Sequence, residues 1–232
     1  LKLFRERTEA NNVALYMHFS GVWDGKVLKE HPDWAIVKAN GERSTEKTSF
    51  FSPYLDTYMI PQLKELSDYK VDGAWIDGEC WSLEPDYQPA AKAEFTKKTG
   101  ITKIPESPTN PDFKAYLEFN REKFVSYLDH YVKVLHAHNP EFQICSNWAY
   151  SAMMPEPVNV GMDFISGDLS PFNALNTAAW HARCLANQGK HWDLMSWNKT
   201  WDWRVTNSIR NQKTAVQLCQ EGAEGIAMGG GY

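Results

Sequence analysis

Short apolar runs, alternating with longer segments of helical periodicity, constrain this chain more than any other feature. Six runs are compact and largely apolar: residues 13–20, 73–76, 142–145, 162–165, 192–195 and 225–228. Between them lie segments that read as helices, at 53–69, 90–98, 111–138, 175–188 and 206–221. The first has Ser52 as a candidate N-cap and Leu55, Met59, Leu63 and Leu66 at helical spacing. The longest opens with Pro111 in its first turn and stops at Asn139-Pro140. Residues 1–10 form a charged opening segment. Residues 21–48 read as a long polar loop with a short strand near Trp34–Val37. Strands that are apolar on both faces must be covered on both faces, which is the property of a parallel sheet flanked by helices.

Such a sheet either closes into a barrel or stays open and doubly wound. A dinucleotide fold requires a glycine-rich turn early in the chain, after a strand and opening a helix. Here the glycine cluster is Gly229-Gly230-Gly231, at the very end. Polar and aromatic residues instead follow strand after strand: His18, Asp77, Asn147, Asp168 and Trp197. Functional groups supplied by many strand ends characterise the C-terminal face of a barrel. The expected fold class is therefore α/β, a (β/α)8 TIM barrel, incomplete in that six strands are visible. Its 232 residues, against about 250 for a typical barrel, are expected to be one catalytic domain (1–232) cut from a longer polypeptide. A secreted or periplasmic setting is expected ahead of a cytoplasmic one.

Composition removes several functions. Lys and Arg are scattered among acids and the formal net charge is -5, so no basic stripe awaits nucleic-acid phosphates. No apolar run reaches the length of a membrane span. The four cysteines, Cys80, Cys145, Cys184 and Cys219, are too dispersed for a zinc ribbon or a disulfide framework and read as free thiols. His130, His136 and His138 crowd one helix end without an HExxH motif, and neither a GxSxG elbow nor a P-loop occurs. No metal and no cofactor is expected.

Carboxylates and tryptophans are left. Asp77 stands where an apolar strand meets Gly78, either presenting its carboxylate at the strand end or capping the following loop. Glu79, two residues on, falls on the same face if the strand continues, and both carboxylates would then face one pocket; otherwise it is a solvated loop acid. Asp168 is a second strand-end carboxylate or the N-cap of the helix after Pro171. Asp163 falls within a strand and needs hydrogen-bond partners. Asp202, between Trp201 and Trp203, is a weaker candidate. Of ten tryptophans, Trp23, Trp81, Trp148, Trp197 and Trp201 lie just past strands, and indoles beside carboxylates and amides suit the C–H faces of sugar rings. Trp75 and Trp192 lie inside strands and read as core.

A family resemblance enters through residues 12–82. The helix bearing Gln62-Leu63-Lys64-Glu65-Leu66, then Tyr69-Lys70-Val71-Asp72-Gly73-Ala74-Trp75-Ile76-Asp77-Gly78, resembles alpha-L-fucosidases of glycoside hydrolase family 29. So does the strand Leu15-Tyr16-Met17-His18-Phe19-Ser20 with Trp23. His31-Pro32-Asp33-Trp34-Ala35 and Asp77-Gly78-Glu79-Cys80-Trp81 resemble a bacterial group of fucosidase-like and family-42-like barrel hydrolases. Beyond residue 82 the likeness continues only in strand order. It implies that Asp77, at the aspartate of the family's W-F-D-G run, is the nucleophile. The chain departs from that run in Ile76 and adds Glu79.

The expected function is a retaining glycosidase acting on a terminal sugar. Asp77 would be the nucleophile, and Glu79, then Asp168, then Asp163 the candidates for acid/base. His18, Trp23, Trp81, Asn147, Trp148, Asp163 and Trp197 would bind sugar. The partner would be an oligosaccharide or glycoside, with a homo-oligomer allowed, and neither nucleic acid nor membrane. Two alternatives stay open. One is a glutamate-pair, beta-galactosidase-like hydrolase, disfavoured because strand 142–145 leads into Ser146-Asn147-Trp148 without a Glu. The other is a non-catalytic carbohydrate-binding barrel.

Overall fold

The computed structural model describes residues 1–148, 156–202 and 204–232. The chain divides into two compact units, residues 1–143 with 159–161, and 144–158 with 162–232.

The first unit opens with helix α1 (Lys2–Ala10), which occupies the charged opening segment. Strand β1 (Tyr16–Ser20) pairs in parallel with β4 (Gly73–Asp77), in a register that sets His18 beside Trp75 and Ser20 beside Asp77. Between them, residues 21–48 carry a short helix α2 (Val27–Glu30) and an antiparallel ribbon of β2 (Ala35–Val37) and β3 (Arg43–Thr48). β3 escaped the sequence reading because its polar residues Arg43-Ser44-Thr45-Glu46-Lys47 show no apolar alternation. The helix expected at 53–69 starts as a π-helical turn (Leu55–Met59) and continues as α3 (Ile60–Asp68). Pro61 lies in the first turn of α3, where a missing N–H is harmless. Helix α4 (Pro89–Thr99) ends on Gly100 at φ +77, the left-handed stop that glycine takes without strain.

Helix α5 (Phe113–His138) is the spine of this unit. Tyr116, Phe119, Phe124, Tyr127, Leu128, Tyr131, Val132 and Leu135 form its buried stripe. Tyr116 and Phe119 close on Val37, Tyr87 and Phe95 in an aromatic cluster. A polar hub that the sequence did not reveal lies beside it. Buried Asp86 accepts the N–H groups of Val37 (3.1 Å) and Gln88 (2.9 Å) and the Ser49 hydroxyl, while its own N–H donates to Asn120 Oδ1 (2.9 Å). Burial raises the Asp86 pKa and these donors pull it back.

In the second unit, β5 (Gln143–Asn147), β6 (Phe164–Asp168) and β7 (His191–Met195) pair in parallel; Gln143, at the head of β5, is counted with the first unit. Helix α6 (Ala174–Ala186) connects β6 to β7. A hairpin of β8 (Lys199–Thr200) and β9 (Asn211–Gln212) follows, and then α7 (Ala215–Ala227). Two expectations fail here. The helix expected at 206–221 begins at Ala215, after a capping box in which Thr214 and Gln217 satisfy each other's backbone N–H groups. The strand expected at 225–228 is the last turn of α7 and the residue after it, because a four-residue apolar run has no periodicity to separate strand from helix. Past it, Gly231 makes a single parallel bridge to Asp193. Among the described residues the parallel strands are therefore five, two paired in the first unit and three in the second.

A buried ion pair secures the second unit: Lys213 Nζ lies 2.9 Å from Glu221 Oε2, which also accepts the Ser196 hydroxyl at 2.5 Å. Nearby, burial of His181 on the inner face of α6 lowers its imidazole pKa from 6.5 to about 4. The unfolded chain thus takes up a proton near pH 6.5 that the folded chain refuses until about pH 4, and stability falls as pH drops through that window. The expected loss approaches 3 kcal/mol at the acid end, as an order of magnitude. Urea midpoints measured between pH 7 and pH 4 should fall, and His181→Gln should flatten that dependence.

Candidate active site at the strand ends

The feet of the β1–β4 and β5–β6 pairs are each set by an aspartate. Asp72, just before β4, accepts the Leu15 N–H at 2.6 Å and the Arg5 guanidinium at 2.9 Å. Asp163, just before β6, accepts the Ile144 N–H at 2.6 Å and returns its own N–H to Ile144 O at 2.9 Å. Asp163 was expected within a strand as a substrate-binding residue. It lies instead at the end of β6 opposite Asp168, where it fastens backbone.

At the other end of β1 and β4 the first unit gathers four of the expected residues. Asp77, the last residue of β4, accepts the Trp81 indole N–H at Oδ1 (2.8 Å), and its Oδ2 lies 3.4 Å from His18 Nε2. Its side chain remains 27% exposed. His18 is itself stacked on Trp75, ring centroids 5.2 Å apart. Trp81 stacks on Trp23 at 5.9 Å with the planes 20° apart, and both indoles are exposed. Gly78 makes this possible. Its φ of +94 turns the chain at the strand end, and a Cβ there would meet Trp23 Cδ1 at 2.5 Å. Below Trp23, the buried Lys47 ammonium lies 5.9 Å from the ring centroid and 2.7 Å from Glu84. Desolvation lowers the Lys47 pKa against the pull of Glu84.

Glu79 does not join Asp77 in an open pocket. It is 0% exposed. Its Oε1 accepts the Tyr131 hydroxyl at 3.0 Å, and Oε2 packs so close to Gly21 that a Cβ there would stand 2.3 Å away. Tyr127, one turn before Tyr131 on α5, donates to Gly21 O at 2.8 Å. The strand ends at Asp77, so the two-residue periodicity that would have put both carboxylates on one face stops short of Glu79.

The second unit brings Asn147 and Asp168 together, with Nδ2 donating to Oδ2 at 2.9 Å. Asp168 is the last residue of β6. On the same sheet face, Ser166 donates to Asp193 of the neighbouring strand, and burial raises the Asp193 pKa against that hydrogen bond. Asp193 was not singled out from the sequence, since a lone acid in an apolar run carries no signal of its neighbour across the ladder. Trp148, expected to stack on a sugar, is 1% exposed and belongs to the core. Trp197 is exposed after β7, perpendicular to Trp201 with centroids 4.7 Å apart. Asp202 forms a 2.8 Å ion pair with Arg204, which lowers its pKa; Trp203 lies outside the described residues.

Comparison with solved structures places this geometry in a known architecture. The chain superposes on a beta-galactosidase from a Rahnella species with a TM-score of 0.71 over 97% of its length, at 17% identity. It matches a beta-galactosidase from Bacillus circulans sp. alkalophilus at 0.72 (98%, 15% identity) and a GH42 beta-galactosidase from G. stearothermophilus at 0.73 (97%, 14% identity). The fold is that of the TIM barrel of these enzymes. The chain spans only 40%, 41% and 41% of their respective lengths. No protein-family model and no curated protein matches the sequence. The expected barrel is thus found, whereas the family-29 resemblance gains no support from these beta-galactosidases.

Gly78→Ala tests the assembly at β4. Forcing a side chain to φ +94 into the Trp23 indole should cost about 1–3 kcal/mol and break the Trp23–Trp81 stack. Thermal denaturation should register the first effect and near-UV circular dichroism the second. An unchanged near-UV spectrum would show that Gly78 does not set the indole pair.

Proposed function

We propose that the chain is part of the catalytic barrel of a glycoside hydrolase in which Asp77 is the nucleophile. The observation that carries this reading is Asp77 itself. Its carboxylate stands at a strand end, partly open, oriented by the Trp81 N–H and near His18, beside two stacked exposed indoles. A sugar ring laid on the Trp23–Trp81 platform would bring its C–H face to the aromatic surface and its hydroxyls to His18. The carboxylate would attack the anomeric carbon while a second carboxyl protonates the departing oxygen and then activates water. Retention of configuration requires the two carboxyls about 5–5.5 Å apart.

Two acids are candidates for the second role, Glu79 and Asp168. Glu79 is enclosed by Tyr131 and Gly21 and would need to be uncovered to reach a substrate. Asp168 is partly exposed at a strand end and is oriented by Asn147. We keep both as candidates and leave Asp163 out of the acid/base role because it binds backbone at the strand foot.

The substrate reading has two supports that point apart. The Trp75-Ile76-Asp77-Gly78 run favours an alpha-L-fucoside, and the fold likeness favours a beta-galactoside. Aryl alpha-L-fucosides and beta-galactosides, with NMR of the first anomer released, separate them. Asp77→Asn should lower turnover of whichever glycoside is cleaved by about 10³-fold or more while leaving sugar binding largely intact. Full activity of Asp77→Asn would remove the nucleophile assignment, and the absence of cleavage by the parent would favour a carbohydrate-binding barrel.

A further inference from the structure

The hairpin after β7 carries a second aromatic platform, and its charge is opposite to that of the molecule. Antiparallel pairing sets Lys199 beside Gln212 and Thr200 beside Asn211. The next pair in that register is Trp201 with Arg210. Residues two apart on a strand share a face, so Lys199, Trp201 and Arg210 come to one side. The ring contacts agree: Lys199 Nζ lies 5.7 Å and the Arg210 guanidinium 5.6 Å from the Trp201 ring centroid. Trp197, two residues before Lys199 and perpendicular to Trp201, adds an exposed indole.

The four cations between 197 and 213 divide into two kinds. Arg204 is neutralised by Asp202 at 2.8 Å, and Lys213 by Glu221 at 2.9 Å. Lys199 and Arg210 have no carboxylate partner among the described residues; each is held only by the Trp201 indole. In a chain of formal net charge -5, two aligned and unpaired cations beside an open indole make a local positive site. The hairpin is also fastened next to a strand end. Arg204 lies 4.2 Å from the ring of Phe172, in the loop that leaves β6 after Asp168. Backbone-to-side-chain bonds brace the connection, with Asp202 N–H on Ser208 Oγ at 2.8 Å and Arg204 N–H on Asp202 Oδ1 at 3.0 Å.

We propose that this hairpin face binds a negatively charged sugar unit, with Trp197 stacking on the ring and Lys199 and Arg210 pairing with its carboxylate or sulfate. This names the substrate class of the hydrolase proposed above and rests on that reading. A guanidinium and an ammonium joined to an anionic group form charge-assisted hydrogen bonds that a neutral sugar cannot offer.

The test is equilibrium binding, read without turnover, by titration calorimetry at low and high salt. The probes are tetragalacturonate, a sulfated carrageenan tetrasaccharide and neutral galactotetraose. At low salt at least one anionic probe should bind roughly tenfold or more tightly than the neutral one. That margin should shrink at high salt and vanish in the double variant Lys199→Gln/Arg210→Gln. Both positions are partly or fully exposed, so the variant should fold, and its far-UV spectrum checks this. Whichever of carboxylate and sulfate binds tighter identifies the group recognised. Equal affinity for all three probes, or a preference that survives the double variant, overturns the proposal. Cleavage of neutral glycosides without any anionic preference would sink this inference alone. Anionic binding at the hairpin with no glycoside cleaved would sink the hydrolase reading alone.

Discussion

Register is the constraint on which the rest of the structure depends. A parallel strand slipped by one residue against its neighbour turns every side chain to the wrong face, and nothing in a short apolar run forbids the slip. Two carboxylates at the strand feet do. Asp72 and Asp163 each stand one residue before a strand and take the backbone N–H at the head of the adjoining one, both at 2.6 Å. With the foot fixed and each strand five residues long, the far end follows. Ser20 comes level with Asp77, and Asn147 with Ser166. The carboxylates of the candidate site owe their positions to carboxylates with no place in its chemistry.

The core then decides what those strand ends can present. α5 contributes more than apolar bulk, because two of its tyrosines reach the loops above the strands. Tyr127 holds the Gly21 carbonyl and Tyr131 the Glu79 carboxylate. A buried acid is costly without a donor, and the Tyr131 hydroxyl supplies one to Glu79 Oε1. Burial, and after it the nearby Tyr54, Glu79 and Asp56, drive the Tyr127 pKa well above its ordinary value, which keeps its hydroxyl a donor. Beside this, the Asp86 hub ties the β2–β3 ribbon to α5. These interior polar bonds leave Asp77 as the open carboxylate of the pair Asp77 and Glu79.

Much of the fold was legible. Five apolar runs are strands and the long periodic stretch is α5, since periodicity over 26 residues leaves little room for another reading. The failures have physical causes. The four-residue run at 225–228 is too short to show a period, and the helix start expected at 206 overlooked the Thr214-to-Gln217 capping box that sets it at Ala215. Asp163 and Asp168 look alike in sequence, five residues apart. Which of them faces the strand-end side depends on where β6 begins, and strand boundaries are the least certain part of a sequence reading. Trp148 and Trp197 each follow a strand, yet one is core and the other exposed, because burial belongs to what packs around an indole.

The sequence alone determined the class of the molecule: apolar strands alternating with amphipathic helices, polar groups at successive strand ends, and a glycine after Asp77 to turn the chain there. These are local properties, written in periodicity and residue type. Tertiary structure decided the division of labour among the acids. Asp72 and Asp163 fasten backbone, Asp86 is enclosed by hydrogen-bond donors, Glu79 is buried against Gly21 with the Tyr131 hydroxyl on one oxygen, and Asp77 and Asp168 remain at strand ends with side-chain amide or indole partners. A carboxylate's role depends on its desolvation and on which donors reach it. Both are supplied by residues distant in sequence, as Tyr131 is from Glu79, and come together only when the chain is packed.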